Sequence, residues 1–152
     1  MSSVSELYQS IILDHNRTPR NYGRLEGDAR HARGYNPLCG DECTVWLKLE
    51  GDTVADGKFV GQGCAISKAS ASLMTMAVKG KPVAEAEALA ERFHSLVTGK
   101  LDEAEQQTLP ARLQVFSNVA QFPVRVKCAS MPWHTLKAAL AGGDAPELVE
   151  LK

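Results

Sequence analysis

Cys43-Thr44-Val45-Trp46-Leu47-Lys48-Leu49-Glu50-Gly51-Asp52 is the stretch on which the fold turns. Cys43, Val45, Leu47 and Leu49 alternate with Thr44, Trp46, Lys48 and Glu50, a period of two that puts the first set on one face of a strand and the second on the other. Gly51-Asp52 is a turn signal. Thr53–Gln62 reads as the returning strand, with Gly57 the candidate for a bulge. The core of the prediction is therefore an antiparallel hairpin, and the rest of the chain is read outward from it.

Downstream, Gly61-Gln62-Gly63 gives way to a helix with the stripe Ile66, Ala69, Leu73, Met76 and Ala77. Its small residues (Ala65, Ala69, Ser70, Ala71, Ser72) permit close packing, and Gly80 ends it. Pro82 suits the first turn of a second helix, with Ala86, Leu89, Ala90, Phe93, Leu96 and Val97 facing the core. Residues 100–109 are polar and read as a loop, and Pro110 opens a short helix through Ala120. Pro123 begins an extended run into Cys128, and Pro132 opens a last helix carrying Trp133, Leu136, Ala139 and Leu140. Upstream, Ser5 caps a helix with Leu7, Tyr8, Ile11 and Ile12 on one stripe and His15 near its end. Residues 24–36 hold a short edge strand. The fold class is α+β: a small antiparallel sheet packed against several helices, one domain over 1–140 and a flexible C-terminal tail over 141–152.

Composition narrows the function. The chain has 152 residues, 44% hydrophobic and 23% charged, with a net charge of −1. That length buries a core without cross-links, and that charge gives no field to draw in nucleic acid or an anionic membrane. No run approaches the ~20 apolar residues that span a bilayer, and Met1–Glu6 lacks the pattern of a signal peptide. The expected compartment is the cytoplasm, where four cysteines read as metal ligands or reactive thiols rather than disulfides.

Three of those cysteines sit where the predicted architecture changes. Cys39 lies in Asn36-Pro37-Leu38-Cys39-Gly40-Asp41, entering the hairpin; Cys64 follows Gly61-Gln62-Gly63, leaving it; Cys128 follows Arg125-Val126-Lys127. The outer ends of a hairpin return to each other, so Cys39 and Cys64 become neighbours. Asp41, two residues from Cys39 in an extended segment, points the same way. Cys128 completes a tetrahedral site if the last helix docks there, and zinc accepts such S and O donors. Three thiolates and a carboxylate outweigh the charge of a dication, and Arg125 and Lys127 are placed to offset the excess. A helix N-terminus further favours the Cys64 thiolate. A carboxylate among thiolates suggests ligands that exchange. Against this, glycines before Cys64 are ordinary turn punctuation, and a buried Cys is commonly a small apolar residue. Spacing alone leaves both readings open. Cys43 fits the core reading because it shares a face with Val45 and Leu47. His94 and His134 fall in helices as surface or satisfied residues, and His15 suits a helix C-terminus.

The motifs Leu13-Asp14-His15 with Pro19-Arg20-Asn21, Asn36-Pro37-Leu38-Cys39-Gly40-Asp41, Gly61-Gln62-Gly63-Cys64-Ala65-Ile66-Ser67 and Arg125-Val126-Lys127-Cys128-Ala129, in this order over about 5–140, resemble the SufU branch of the NifU/IscU N-terminal family. IscU-like proteins carry a His just before the last Cys, where this chain has Lys127. The long Cys64–Cys128 interval looks like the insertion of SufU-like proteins. Cys43 departs from the pattern. The resemblance implies a SufE/NifU-like fold and zinc held by Cys39, Asp41, Cys64 and Cys128. It implies a pyridoxal-phosphate cysteine desulfurase as partner, one of whose histidines replaces the first Cys on zinc. Cys39 is then the sulfur acceptor, with Arg125 and Lys127 steadying the charged site, and sulfur passes to a downstream SUF scaffold or apo iron–sulfur proteins. The alternative it implies is an IscU-like scaffold holding a transient [2Fe–2S] cluster on Cys39, Cys64 and Cys128.

Overall fold

The structure, a computed structural model, describes residues 4–27, 29–37, 40–142 and 148–150. Its elements run α1 Val4–Arg17, β1 Arg30–Asn36, β2 Asp41–Glu50, β3 Thr53–Gln62, α2 Ala65–Val78, α3 Val83–Val97, α4 Glu103–Gln106, α5 Ala111–Gln114, a 3-10 turn Val115–Val119, α6 Pro123–Ala141 and β4 Leu148–Glu150. The fold is α+β, as expected.

The alternation around Gly51-Asp52 folds into an antiparallel pair, with Val45 opposite Phe59 and Leu47 opposite Gly57. Cys43, Val45, Leu47, Val54 and Phe59 are buried on its inner face. The register shift falls between Lys48 and Leu49 rather than at Gly57, because β3 carries one extra residue, Ala55, opposite that step. Gly57 instead serves packing: a Cβ there would lie 3.3 Å from the Leu47 side chain. On the outer face Trp46 is 7% exposed. His31 stacks on its ring at 6.1 Å and the Arg24 guanidinium lies over it at 5.4 Å.

β1 pairs antiparallel with β2, giving the sheet order β3-β2-β1-β4. β4 lies within the stretch read as a loose tail and runs parallel to β1, with Arg33 opposite Leu148. An edge strand presents unpaired N–H and C=O groups, and β4 occupies those of β1.

Helix α3 buries the six residues expected of it. In α2 the buried set is rotated: Met74 is 0% exposed whereas Met76 is 45% exposed. Both α1 and α6 pack on α2, so its small residues face neighbours on two sides and a single apolar stripe does not describe it. The polar run 100–109 contains α4, started by a capping box between Asp102 and Glu105.

The largest correction concerns residues 123–141. They form one continuous helix with Pro123 in its first turn and Pro132 inside, not an extended run followed by a new helix. Proline is well suited to a first helical position, where the missing N–H would lack an intrahelical partner anyway. Pro132 offers no N–H to the carbonyl of Cys128, four residues back. The neighbouring Ala129 carbonyl accepts from the buried Ser70 hydroxyl at 2.6 Å, and Trp133 Nε1 donates to that same hydroxyl at 3.2 Å. Two side chains thus hold α2 against the helix where it lacks a backbone bond. Among the described residues no helix is long and apolar enough to cross a membrane.

Candidate metal centre

Asp41 opens β2 two residues before Cys43, so the apolar inner face of the strand ends on a carboxylate. It is 3% exposed. Cys64 sits at the N-cap of α2, where its Sγ accepts from the Ser67 N–H at 3.4 Å. Its backbone N–H donates to Asp41 Oδ1 at 3.1 Å, and its thiol to Asp41 Oδ2 at 3.4 Å. Cys128, on the second turn of α6, is 4% exposed. One ligand atom from each of Asp41, Cys64 and Cys128 lies within 4.8 Å of the other two. Gly63 makes the approach possible. Its φ is +152°, and a Cβ there would overlap the Asp41 carboxylate.

The Cys64 thiol is held below its ordinary pKa chiefly by a hydrogen bond from Cys128, with help from the Ser67 N–H. Burial and Asp41 act in the opposite sense. A thiolate in this position is matched to a cation. Two sulfur donors and one oxygen donor that already converge and are largely buried fit zinc, which takes both donor types and commonly four ligands.

Cys39 lies outside the described residues. Its neighbour Gly40 donates to the Asn36 carbonyl at 2.8 Å, joining the ends of β1 and β2. Arg125 and Lys127, expected to precede Cys128 in an extended run, lie on helix α6 instead. Helical spacing keeps Arg125, three residues earlier, on the Cys128 face and turns Lys127 about 100° away. Arg125 stacks over Phe122 at 4.4 Å. With Tyr8, Ile12 and Ile66 it lines an open groove of about 490 Å³. Cys43 is not part of the group: it is 2% exposed within the hydrophobic core, and burial pushes its thiol up to about 12.

His15 is fully buried, not a charge at a helix end. Its Nδ1 lies 2.7 Å from Ser72 Oγ and its Nε2 3.5 Å from Arg112 Nη1. Arg112 can only donate, so Nε2 accepts and Nδ1–H donates to Ser72. Burial, then Arg20, holds the imidazole below its ordinary pKa. His94 and His134 meet edge to face, half-buried, between α3 and α6.

Two residues near the centre escaped the sequence reading. From the sequence Ser70 is only a small side chain that permits close packing. Tyr8 is, from the sequence, one member of the α1 stripe, yet its hydroxyl is buried without a hydrogen-bond partner among the described residues. Burial raises its pKa, Arg125 lowers it, and Cys64 and Cys128 raise it, so the phenol stands within the field of the thiols.

Comparison with known proteins agrees with this geometry. Residues 7–142 match the family model described as the NifU-like N-terminal domain. The chain is 39% identical over 140 residues to the zinc-dependent sulfurtransferase SufU of Bacillus subtilis, covering 92% of this chain and 93% of that one. It is equally 39% identical over 140 residues to the iron–sulfur cluster assembly scaffold protein IscU of Streptococcus pyogenes, covering 92% and 86%. A crystal structure titled as a scaffold protein for the SUF system of Fervidobacterium islandicum superposes with a TM-score of 0.79 at 35% identity, over 88% of this chain and 96% of that one. The chain belongs to the NifU-like N-terminal domain family.

Proposed function

We propose that this chain is an iron–sulfur cluster assembly protein that accepts sulfane sulfur on Cys39 from a pyridoxal-phosphate cysteine desulfurase of a SUF-type system. The observation that carries the reading is the convergence of Asp41, Cys64 and Cys128, a donor set complete but for one ligand, with Cys39 two residues from Asp41 in sequence. Relatives named as a zinc-dependent sulfurtransferase and as cluster scaffolds support it.

Zinc on this set, when bound, supplies positive charge that keeps thiols ionised at neutral pH and shields them from oxidation. The protein's own groups do the rest. The N-cap position and the Cys128 hydrogen bond favour Cys64 as thiolate, and Arg125, on the Cys128 face of α6, offsets the negative charge. Transfer itself is an exchange at sulfur. The Cys39 thiolate attacks the terminal sulfur of the donor's persulfide, the donor S–S bond breaks, the donor cysteine leaves as thiolate, and a persulfide anion stands on Cys39. No outside oxidant or proton is needed. Arg125, the one of the two basic residues on the Cys128 face of α6, stabilises that anion, which passes to a downstream SUF scaffold or apo iron–sulfur protein. The setting is cytoplasmic.

A second reading is a scaffold on which a [2Fe–2S] cluster is assembled on Cys39, Cys64 and Cys128 and handed on. The same converging thiols favour it, since thiolates are the usual cluster ligands. Anaerobic reconstitution with iron and sulfide separates the two. A stable cluster transferable to an apo-ferredoxin supports the scaffold. Stimulation of desulfurase turnover by the zinc-loaded chain, lost in Cys39→Ser and without cluster build-up, supports the acceptor.

A further inference from the structure

Tyr8 is only 5% exposed, and among the described residues its hydroxyl has no hydrogen-bond partner. Folded proteins rarely leave a buried hydroxyl unsatisfied, and each exception asks for an occupant. The ring is held in place by Phe116, which meets it edge to face with centroids 5.8 Å apart. Tyr8 lines the open groove together with Ile12, Ile66, Phe122 and Arg125. Ile66 stands two residues after Cys64 at the start of α2, and Arg125 three before Cys128 on α6, so the groove borders the metal centre. Arg125 has no ion pair among the described residues, and its guanidinium rests on the Phe122 ring. One cation and one buried proton donor therefore share an otherwise largely apolar groove. Burial, with Cys64 and Cys128, holds the phenol above its ordinary pKa against the pull of Arg125. At neutral pH the hydroxyl keeps its proton and can donate it.

We propose that Tyr8 is a sulfur-binding residue of the loaded protein: its hydroxyl donates a hydrogen bond to the terminal sulfur of the persulfide on Cys39, beside the Arg125 guanidinium. The inference rests on the acceptor reading and adds to it a place for the sulfur between loading and handover. A persulfide anion is soft and polarisable, which suits a groove of aliphatic side chains and aromatic rings. A hydrogen bond to an anion is about twice as strong as a neutral one, so a single donor holds it effectively. In the unloaded chain that donor has nothing to lose, because it is bonded to no described group. Tyr8 makes and breaks no covalent bond. It favours the loaded form of Cys39 over the free thiolate.

The test is an equilibrium on the full, zinc-loaded chain that needs no desulfurase. Mixtures of N-acetylcysteine and its persulfide exchange with Cys39: the Cys39 thiolate attacks the terminal sulfur, the donor S–S bond breaks, and N-acetylcysteine leaves as thiolate. Mass spectrometry gives the loaded fraction of Cys39 at each persulfide-to-thiol ratio. Tyr8→Phe should raise the ratio for half-loading about tenfold, the worth of a hydrogen bond to a charged group. The melting temperature of the unloaded variant should not fall, since the lost hydroxyl had no partner. In parallel, the wild type carries tyrosine labelled with ¹³C at Cζ, its signals assigned with Tyr22→Phe and Tyr35→Phe. Loading should shift the Tyr8 signal and leave that of Tyr22, whose hydroxyl already bonds the Gly61 carbonyl at 3.2 Å. An unchanged half-loading ratio, or a Tyr8 signal that stays in place while Cys39 is loaded, overturns the inference and leaves the acceptor reading standing. A wild-type Cys39 that takes no sulfur overturns both. If Tyr8→Phe does not fold, the wild-type Tyr8 signal decides by itself.

Discussion

Asp41 and Cys64 are joined twice: one carboxylate oxygen accepts the Cys64 backbone N–H at 3.1 Å, and the other accepts its thiol at 3.4 Å. The same carboxylate therefore seats the start of α2 and stands beside the sulfur that would hold the metal. Hairpin pairing brings the two residues together across 23 positions of sequence, and Gly63 keeps the space between them clear.

Asp41→Ala should separate those two roles. Losing the acceptor for the Cys64 N–H costs the metal-free protein about 1–3 kcal/mol, read from urea unfolding. The zinc-loaded variant should release metal to a chelator more slowly than wild type, because the exchangeable oxygen donor among thiolates is gone. Faster release would contradict the labilising role.

Ser70 ties the two ligand-bearing helices through Ala129 and Trp133. Ser70→Ala leaves the buried Trp133 Nε1–H without its acceptor and should destabilise the fold by about 1–3 kcal/mol. It should also alter the thiolate-to-metal charge-transfer spectrum of the cobalt-substituted protein. A full stability loss with an unchanged spectrum would make Ser70 a packing residue only.

Cys43 tests the boundary of the site. Cys43→Ala removes one buried sulfur and should cost ~1 kcal/mol through the small cavity left. Bound zinc per chain and desulfurase stimulation should not change, and a fall in zinc stoichiometry would place Cys43 among the ligands.

His15 and His134 both have folded-state pKa values below the ordinary 6.5. The unfolded chain therefore binds protons first as pH falls, and stability is lost below about pH 6.5 rather than above it. His15→Gln, which keeps a hydrogen-bonding side chain, should flatten the stability–pH curve between pH 7 and 5. An unchanged slope would show that His15 does not titrate differently in the two states.

How much of this was legible in the residues follows from what each signal measures. Period two revealed β2 and β3 because one face of that hairpin is buried while the other, Trp46 apart, is not. It did not locate the bulge, because Gly57 reads alike whether it bends a strand or admits the Leu47 side chain. The core face of α3 was legible because that helix buries a single stripe. The faces of α2 were not, because it packs on two neighbours. Two prolines made α6 look broken, and nothing local to the sequence reveals that Ser70, 59 residues from Ala129, supports the turn before Pro132. The Asp41–Cys64–Cys128 grouping was expected from the hairpin and the motifs, whereas Tyr8 depended on a helix docking that periodicity cannot orient.

The central claim concerns Cys39, and one measurement addresses it directly. The zinc-loaded chain is incubated with its cognate desulfurase and cysteine, alkylated, and mapped by tandem mass spectrometry. The account predicts one extra sulfur, as a persulfide on Cys39, with none on Cys43. Unmodified Cys39, with desulfurase stimulation that persists in Cys39→Ser, would contradict it.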